Sequence, residues 1–194
     1  MTLQANILKN SMGKEVLVNG YPRQPGQVIE YLSSLNDGSA MTGESSTYTA
    51  TNVTAQVGTT TSYADVPGST INYTPPSAAT RIIYQFHFGS YWTTTAHSIQ
   101  HFKFFIDGVE VLHARHNRSS TYYEDREKFE WIIPIGGVAN TNTGRQATWT
   151  SAKILKLQNR RYGTNSQDLF GTVYWDGATA NQFNRPHITI MAIA

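Results

Sequence analysis

The sequence predicts an all-β protein, an antiparallel β-sandwich or jelly roll of about eight to ten strands. Three observations predict it. Apolar and polar residues alternate over several runs, and none keeps a sustained 3.6-residue period. Thr is abundant beside 11 Tyr, 8 Phe and 4 Trp, the side chains that suit a pleated, half-buried surface. Turn dipeptides recur between the runs, and two of them are Asp-Gly.

Residues 1–25 differ in composition from the rest. Leu8 to Glu15 is polar and of mixed charge, and Val16-Leu17-Val18 is a short strand signal closed by Asn19-Gly20. Pro22, Pro25 and Gly26 then punctuate the chain. The expectation is an amino-terminal arm over 1–25 and a body over 26–194, and a first hairpin of the same domain is the other reading of this segment. Val28 to Leu32 opens the body, and Asn36-Asp37-Gly38-Ser39 reads as a loop. Thr47 to Val57 reads as one long extended run, and Thr61 to Val66 leads into a Pro67-Gly68 turn. Thr70 to Thr74 stops at Pro75-Pro76, a pair that has no place in a central strand.

The core strands follow. Ile82, Tyr84, Phe86 and Phe88 share one face of a run whose other face carries Gln85 and His87. Phe102, Phe104 and Ile106 form the next row, and Asp107-Gly108 turns the chain into Val109 and Val111 as a hairpin. Phe129, Trp131, Ile133 and Ile135 form another row, as do Trp149 and Ile154 to Leu157. Val173-Tyr174-Trp175 precedes the second Asp-Gly. The last run, His187 to Ala194, alternates and ends the chain without a polar tail. Termini fray unless packing holds them. So apolar an end is expected in a sheet or at a subunit interface, which makes Ile188, Ile190, Met191 and Ile193 candidate interface residues.

Composition excludes several functions. Net charge is +2, with no basic stretch beyond Arg160-Arg161, so no nucleic-acid footprint is present. No Cys is present, which removes thiolate metal sites and thiol chemistry. No apolar run approaches a membrane span, and Met1-Thr2-Leu3-Gln4 lacks signal-peptide character, so synthesis in the cytoplasm is expected.

Two groups of residues invite chemistry. His97 and His101 have helical ligand spacing, but they lead into a strand, where such residues lie about 13 Å apart. His113 and His116 sit beyond the Asp107-Gly108 turn. All four read as polar strand-face or loop histidines, and no metal or cofactor is expected. Glu124, Asp125, Glu127 and Glu130 are interleaved with Arg126 and Lys128. Paired carboxylates can hydrolyse glycosides, but mixed-sign charge without a nucleophile or oxyanion arrangement reads as a solvated loop, so no enzymatic activity is expected. Tyr91, Trp92, Tyr122 and Tyr123 fall at strand ends and read as exposed aromatic contacts for sugar rings or another subunit, whereas Trp131 and Trp149 read as core.

The body also resembles tailed-phage virion proteins of marine and cyanobacterial viruses. The likeness is carried by Pro25-Gly26-Gln27-Val28-Ile29-Glu30, by Thr61-Ser62-Tyr63-Ala64-Asp65-Val66-Pro67-Gly68, by Tyr73-Thr74-Pro75-Pro76, and by the apolar terminal strand. It implies a trimeric jelly roll of the complement-head or tumour-necrosis-factor type, with the terminal strand near the three-fold axis and no catalytic residues. The chain has no collagen-like repeat, heptad or β-helix repeat to build a shaft. The expected role is therefore a homotrimeric capsid decoration or cement protein exposed on the virion, bound to the major capsid protein or a tail protein through its arm. A tail-fibre or receptor-binding role, meeting a host surface glycan, is the alternative.

Overall fold

The structure is a computed structural model that describes residues 17–18, 21–22, 24–92, 98–120, 124–163, 165, 167–172 and 182–194. Its long strands are β1 (Val28–Leu35), β2 (Arg81–Trp92), β3 (Ser98–Ile106), β4 (His116–Ser120), β5 (Glu124–Pro134), β6 (Lys153–Tyr162) and β7 (His187–Ile193). All named pairings among them are antiparallel.

Two six-stranded sheets face each other. In the first, β7 lies between β1 and β2, and β5 pairs along the other side of β2. The far end of β2 pairs with Gln167–Leu169, which in turn holds Val57–Gly58. In the second, β3 is central. It pairs with β6 on one side and with Val109–Glu110 and β4 on the other, while Ala64–Asp65 and Ile71–Tyr73 pair with β6. The fold is a β-sandwich, as the alternation predicts.

The inward rows close on one another. Ile82, Tyr84, Phe86 and Phe88 of β2 are buried, as are Phe102, Phe104 and Ile106 of β3 and Leu155 and Leu157 of β6. Rings from opposite sheets meet: Tyr84 and Phe104 lie 5.0 Å apart and Phe88 and Phe102 5.5 Å. Each such side chain contributes about 1.5–3 kcal/mol by burial, so the aromatic rows hold the sheets together. The Asp107-Gly108 turn has the predicted form. Both residues have positive φ, 48° and 77°, which a two-residue type I′ turn requires, and Ile106 pairs with Val109 across it. Asp107 also ties the turn to β6, because its Oδ1 accepts from the Ile154 N–H at 2.8 Å.

Three expectations are corrected. Thr47 to Val57 is not one strand: only Thr47–Thr49 and Val57–Gly58 are extended ladders. Between them the chain bends to bury Ala50 and Val53, whose N–H groups bond to Ser39 and Asn36 carbonyls. Thr propensity reflects packing on a pleated surface, and no long partner strand is offered here. The charged run is part of β5 rather than a loop. The terminal strand is internal to its own sheet, so Ile188, Ile190 and Ile193 are 2%, 0% and 8% exposed within one chain. One subunit's own core accounts for the burial of those three residues. Of the arm, Leu17–Val18 and Tyr21–Pro22 form a two-stranded ladder, and its other residues before Gln24 lie outside the described residues.

Candidate interaction surfaces

The outer face of the first sheet carries ordered rows, because cross-strand register aligns residues from four strands. Tyr31, Met191, Ile83 and Ile132 are register partners in sequence across β1, β7, β2 and β5. Tyr31 is 62% exposed and Ile132 48%, with Met191 and Ile83 part-buried between them. The next row is polar: Ser33, Thr189, Gln85 and Glu130. Here the Ser33 and Thr189 hydroxyls lie 2.8 Å apart, and Gln85 donates to Glu130 at 2.6 Å. The third row is Leu35, His187, His87 and Lys128. Of the predicted interface residues, Met191 alone faces this surface as part of the apolar row. The row had a sequence signal that simple alternation hides. Ile82-Ile83 and Ile132-Ile133 are apolar doublets, in which one residue serves the core and the other must face out.

The predicted aromatic contacts divide differently. Tyr91 and Trp92 are 7% and 1% exposed, so they are not exposed contacts. The two point to opposite faces, where Arg118 of the facing sheet lies over the Trp92 ring and Gly171 packs against Tyr91. Tyr122 and Tyr123, like His97 and Trp175-Asp176-Gly177, lie outside the described residues. Trp92 instead supports a buried charge. The Arg118 guanidinium lies 4.8 Å from its ring centroid and forms an ion pair with Glu127 Oε1 at 2.5 Å. Burial lowers the Arg118 pKa, and Glu127 offsets that in part. Arg118 stands on β4 and Glu127 on β5, so the pair clasps one sheet to the other. Beside it, Ser90, Gln100 and Gln167 are fully buried polar residues, and the Ser90 hydroxyl donates to Gln100 Oε1 at 3.3 Å.

The remaining histidines and carboxylates are dispersed. His101 Nδ1 lies 2.6 Å from Asn117 Oδ1, His113 is exposed on the Leu112–Ala114 turn, and His116 Nε2 is 3.7 Å from Glu127 Oε2. Among the described residues no three His, Asp or Glu side chains gather as a metal centre. Glu127 turns inward to Arg118, whereas Glu130 turns outward to Lys128 at 2.5 Å. Lys128 and then Gln85 hold the Glu130 carboxyl below its usual range. These two carboxylates therefore do not converge. The side chains of Glu124 and Asp125 lie outside the described residues.

Two depressions among the described residues bear on binding. One, of about 370 Å³, is lined by Tyr63, His101, Phe102, Lys103, Arg115 and Asn117. Lys103 Nζ lies 4.5 Å from the Tyr63 centroid and Arg160 5.3 Å, and exposed Tyr162 stands edge-on to His101. Glu110 pairs with both Arg115 and Lys103, which lower its pKa in that order. The other, of about 870 Å³, lies between Pro75-Pro76, Ile135 and the loop at Trp149. Trp149 itself is core, with its N–H donated to the Tyr73 carbonyl at 3.2 Å. Trp131 is only part-buried and donates to the Thr143 carbonyl at 3.0 Å. No protein-family model matches the chain, and no curated protein matches it.

Proposed function

We propose that this protein is a non-enzymatic structural subunit of a phage virion, a surface jelly roll that assembles with copies of itself, as a homotrimer, to decorate the capsid. The observation that carries the assembly reading is the Tyr31–Met191–Ile83–Ile132 row. It is an apolar stripe across four strands of a face that one chain leaves in solvent. Contiguous apolar surface on a soluble fold marks a protein contact, and Tyr and Met are residues enriched in such contacts. The virion setting is supported by the resemblance of the Pro25–Glu30 and Thr61–Gly68 segments.

The test is assembly state together with particle binding. Mass photometry at nanomolar concentration is expected to give three chains, and Tyr31→Glu with Ile132→Lys to give monomers that still melt cooperatively. A wild-type chain that stays monomeric ends the assembly reading. Trimers that leave DNA-free capsids no more heat-resistant end the decoration reading. A tail or receptor-binding role is favoured by one observation, the Tyr63–His101–Arg115 depression with exposed Tyr162 beside it. Its signature is binding to host cells or glycans, lost on Tyr162→Ala.

A further inference from the structure

On the outer face, two histidines from different parts of the chain meet directly. His87 of β2 and His187 of β7 are register partners, with ring centroids 4.3 Å apart and an interplanar angle of 11°. No other described pair of histidines stacks in this way. His101 is committed to Asn117, His116 faces Glu127, and His113 stands on a separate turn. We infer that His87 and His187 form a two-imidazole site for a divalent transition-metal ion, of the Cu²⁺, Ni²⁺ or Zn²⁺ class.

Three features of the fold support this site. First, directly opposed residues on an antiparallel pair have Cβ atoms about 4.5–5.5 Å apart, so two imidazoles there reach one ion without backbone movement. A metal about 2.0–2.1 Å from each nitrogen needs the nitrogen edges to converge, and rotation about χ2 from the stacked arrangement provides that. Second, the ring positions are fixed by two central strands rather than by loops. β7 is held by β1 and β2, and β2 by β5 and β7.

Third, the surroundings suit a cation of modest affinity. Lys128 faces His87 across β5, but Glu130 holds it at 2.5 Å and offsets its charge, and Leu35 closes the β1 side. Water fills the remaining coordination positions, which the solvent-facing side leaves open.

The site lies four residues along each strand from the Tyr31–Met191–Ile83–Ile132 row, roughly 13 Å away. A polar row separates them, so metal binding does not require assembly. The order of affinity should be Cu²⁺ above Ni²⁺ and Zn²⁺, as for any nitrogen donor pair.

The experiment titrates the full-length chain with CuCl₂ or NiCl₂ at pH 7.5 and follows the histidine ring resonances by NMR. His87 and His187 are expected to broaden together, ahead of the other four histidines. His187→Phe keeps a stacked ring and removes one ligand, so it tests ligation apart from folding. In this variant, selective broadening of His87 should be lost while the melting temperature without metal stays near that of the parent. Unchanged selective broadening of His87 in His187→Phe overturns the site. So does earlier broadening of any other histidine in the parent. If His187→Phe proves unstable, His87→Gln supplies the same comparison from the other strand, read at His187.

Discussion

Breaking the Arg118–Glu127 clasp should be a strongly destabilising charge change in the sandwich. Glu127→Gln keeps the shape of the side chain and removes the charge that faces the guanidinium. The Arg118 and Glu127 side chains are 6% and 14% exposed, so water replaces little of the lost partner. Removing one member of a buried pair costs about 3–5 kcal/mol. The solvent reaching Glu127 places this pair near the lower end, about 3 kcal/mol. At about 2–4 °C per kcal/mol for a chain of this size, the melting temperature should drop by roughly 6–12 °C. Arg118→Met should cost a similar amount, because the guanidinium also loses its contact with Trp92. The double variant Arg118→Met, Glu127→Leu should be more stable than either single variant, since no charge is then left alone in the interior. Urea denaturation at pH 7 of all four proteins measures the coupling energy directly. A Glu127→Gln variant within about 1 kcal/mol of the parent would show that the pair behaves as a surface ion pair, and that the sheets are held by the aromatic rows alone.

Two glycines test the turn assignments against each other. Gly68 (φ +81°) would place a Cβ 2.8 Å from Asn36 Nδ2 and 2.9 Å from Val53 Cγ2, whereas Gly108 (φ +77°) would place one in open space. Gly108→Ala should therefore cost only the backbone term of about 1–2 kcal/mol. Gly68→Ala should cost at least about 1 kcal/mol more, from overpacking. Equal losses in thermal melts would contradict this. The His87–His187 stack sets a pH dependence whose sign follows from their lowered pKa values. The unfolded chain takes up these protons at a higher pH than the fold, so stability is complete above about pH 6.5. It declines as pH falls from there through the folded-state values. Melting curves for the parent and His187→Phe should lie together near pH 8 and separate as pH falls towards 5, the parent losing more, and parallel curves would rule the stack out as the source.

The inward rows were legible because alternation reports burial on one face, and Ile82 to Phe88 and Phe102 to Ile106 pack as that pattern requires. The Asp107-Gly108 turn was legible because its backbone needs two positive φ values, and Asp-Gly supplies them. What was not legible depends on sheet order. Tyr91 and Trp92 look like strand-end aromatics until Gly171, far along the chain, packs on one and Arg118 of the facing sheet on the other. Arg118 and Glu127 lie nine positions apart, and only the stacking of two sheets makes one face the other. His87 and His187 are a hundred positions apart, and no local spacing announces that β7 will lie beside β2. The terminal strand misled for a related reason. Its apolar character truly reports burial, but the covering strands are β1 and β2 of the same chain.

The charged run of β5 bears on how such a sandwich can assemble. Among the described residues β5 pairs in a ladder only with β2, and among them its other side is an edge of the first sheet. An edge strand, here one of eleven residues, is a template on which another strand can pair. Its sequence carries Glu124, Asp125, Arg126, Glu127, Lys128 and Glu130, and one of these, Glu127, points inward to Arg118. Charged side chains on an edge, and inward-pointing ones above all, oppose edge-to-edge pairing. The run that reads from sequence as a solvated loop is thus better understood as a guard on an exposed edge. The assembly proposed above uses a face instead, the apolar row across β1, β7, β2 and β5. Contact through a face closes into a finite assembly more readily than the open-ended addition of strands at an edge. A discrete oligomer rather than a fibre is the form of self-association that this division between face and edge favours.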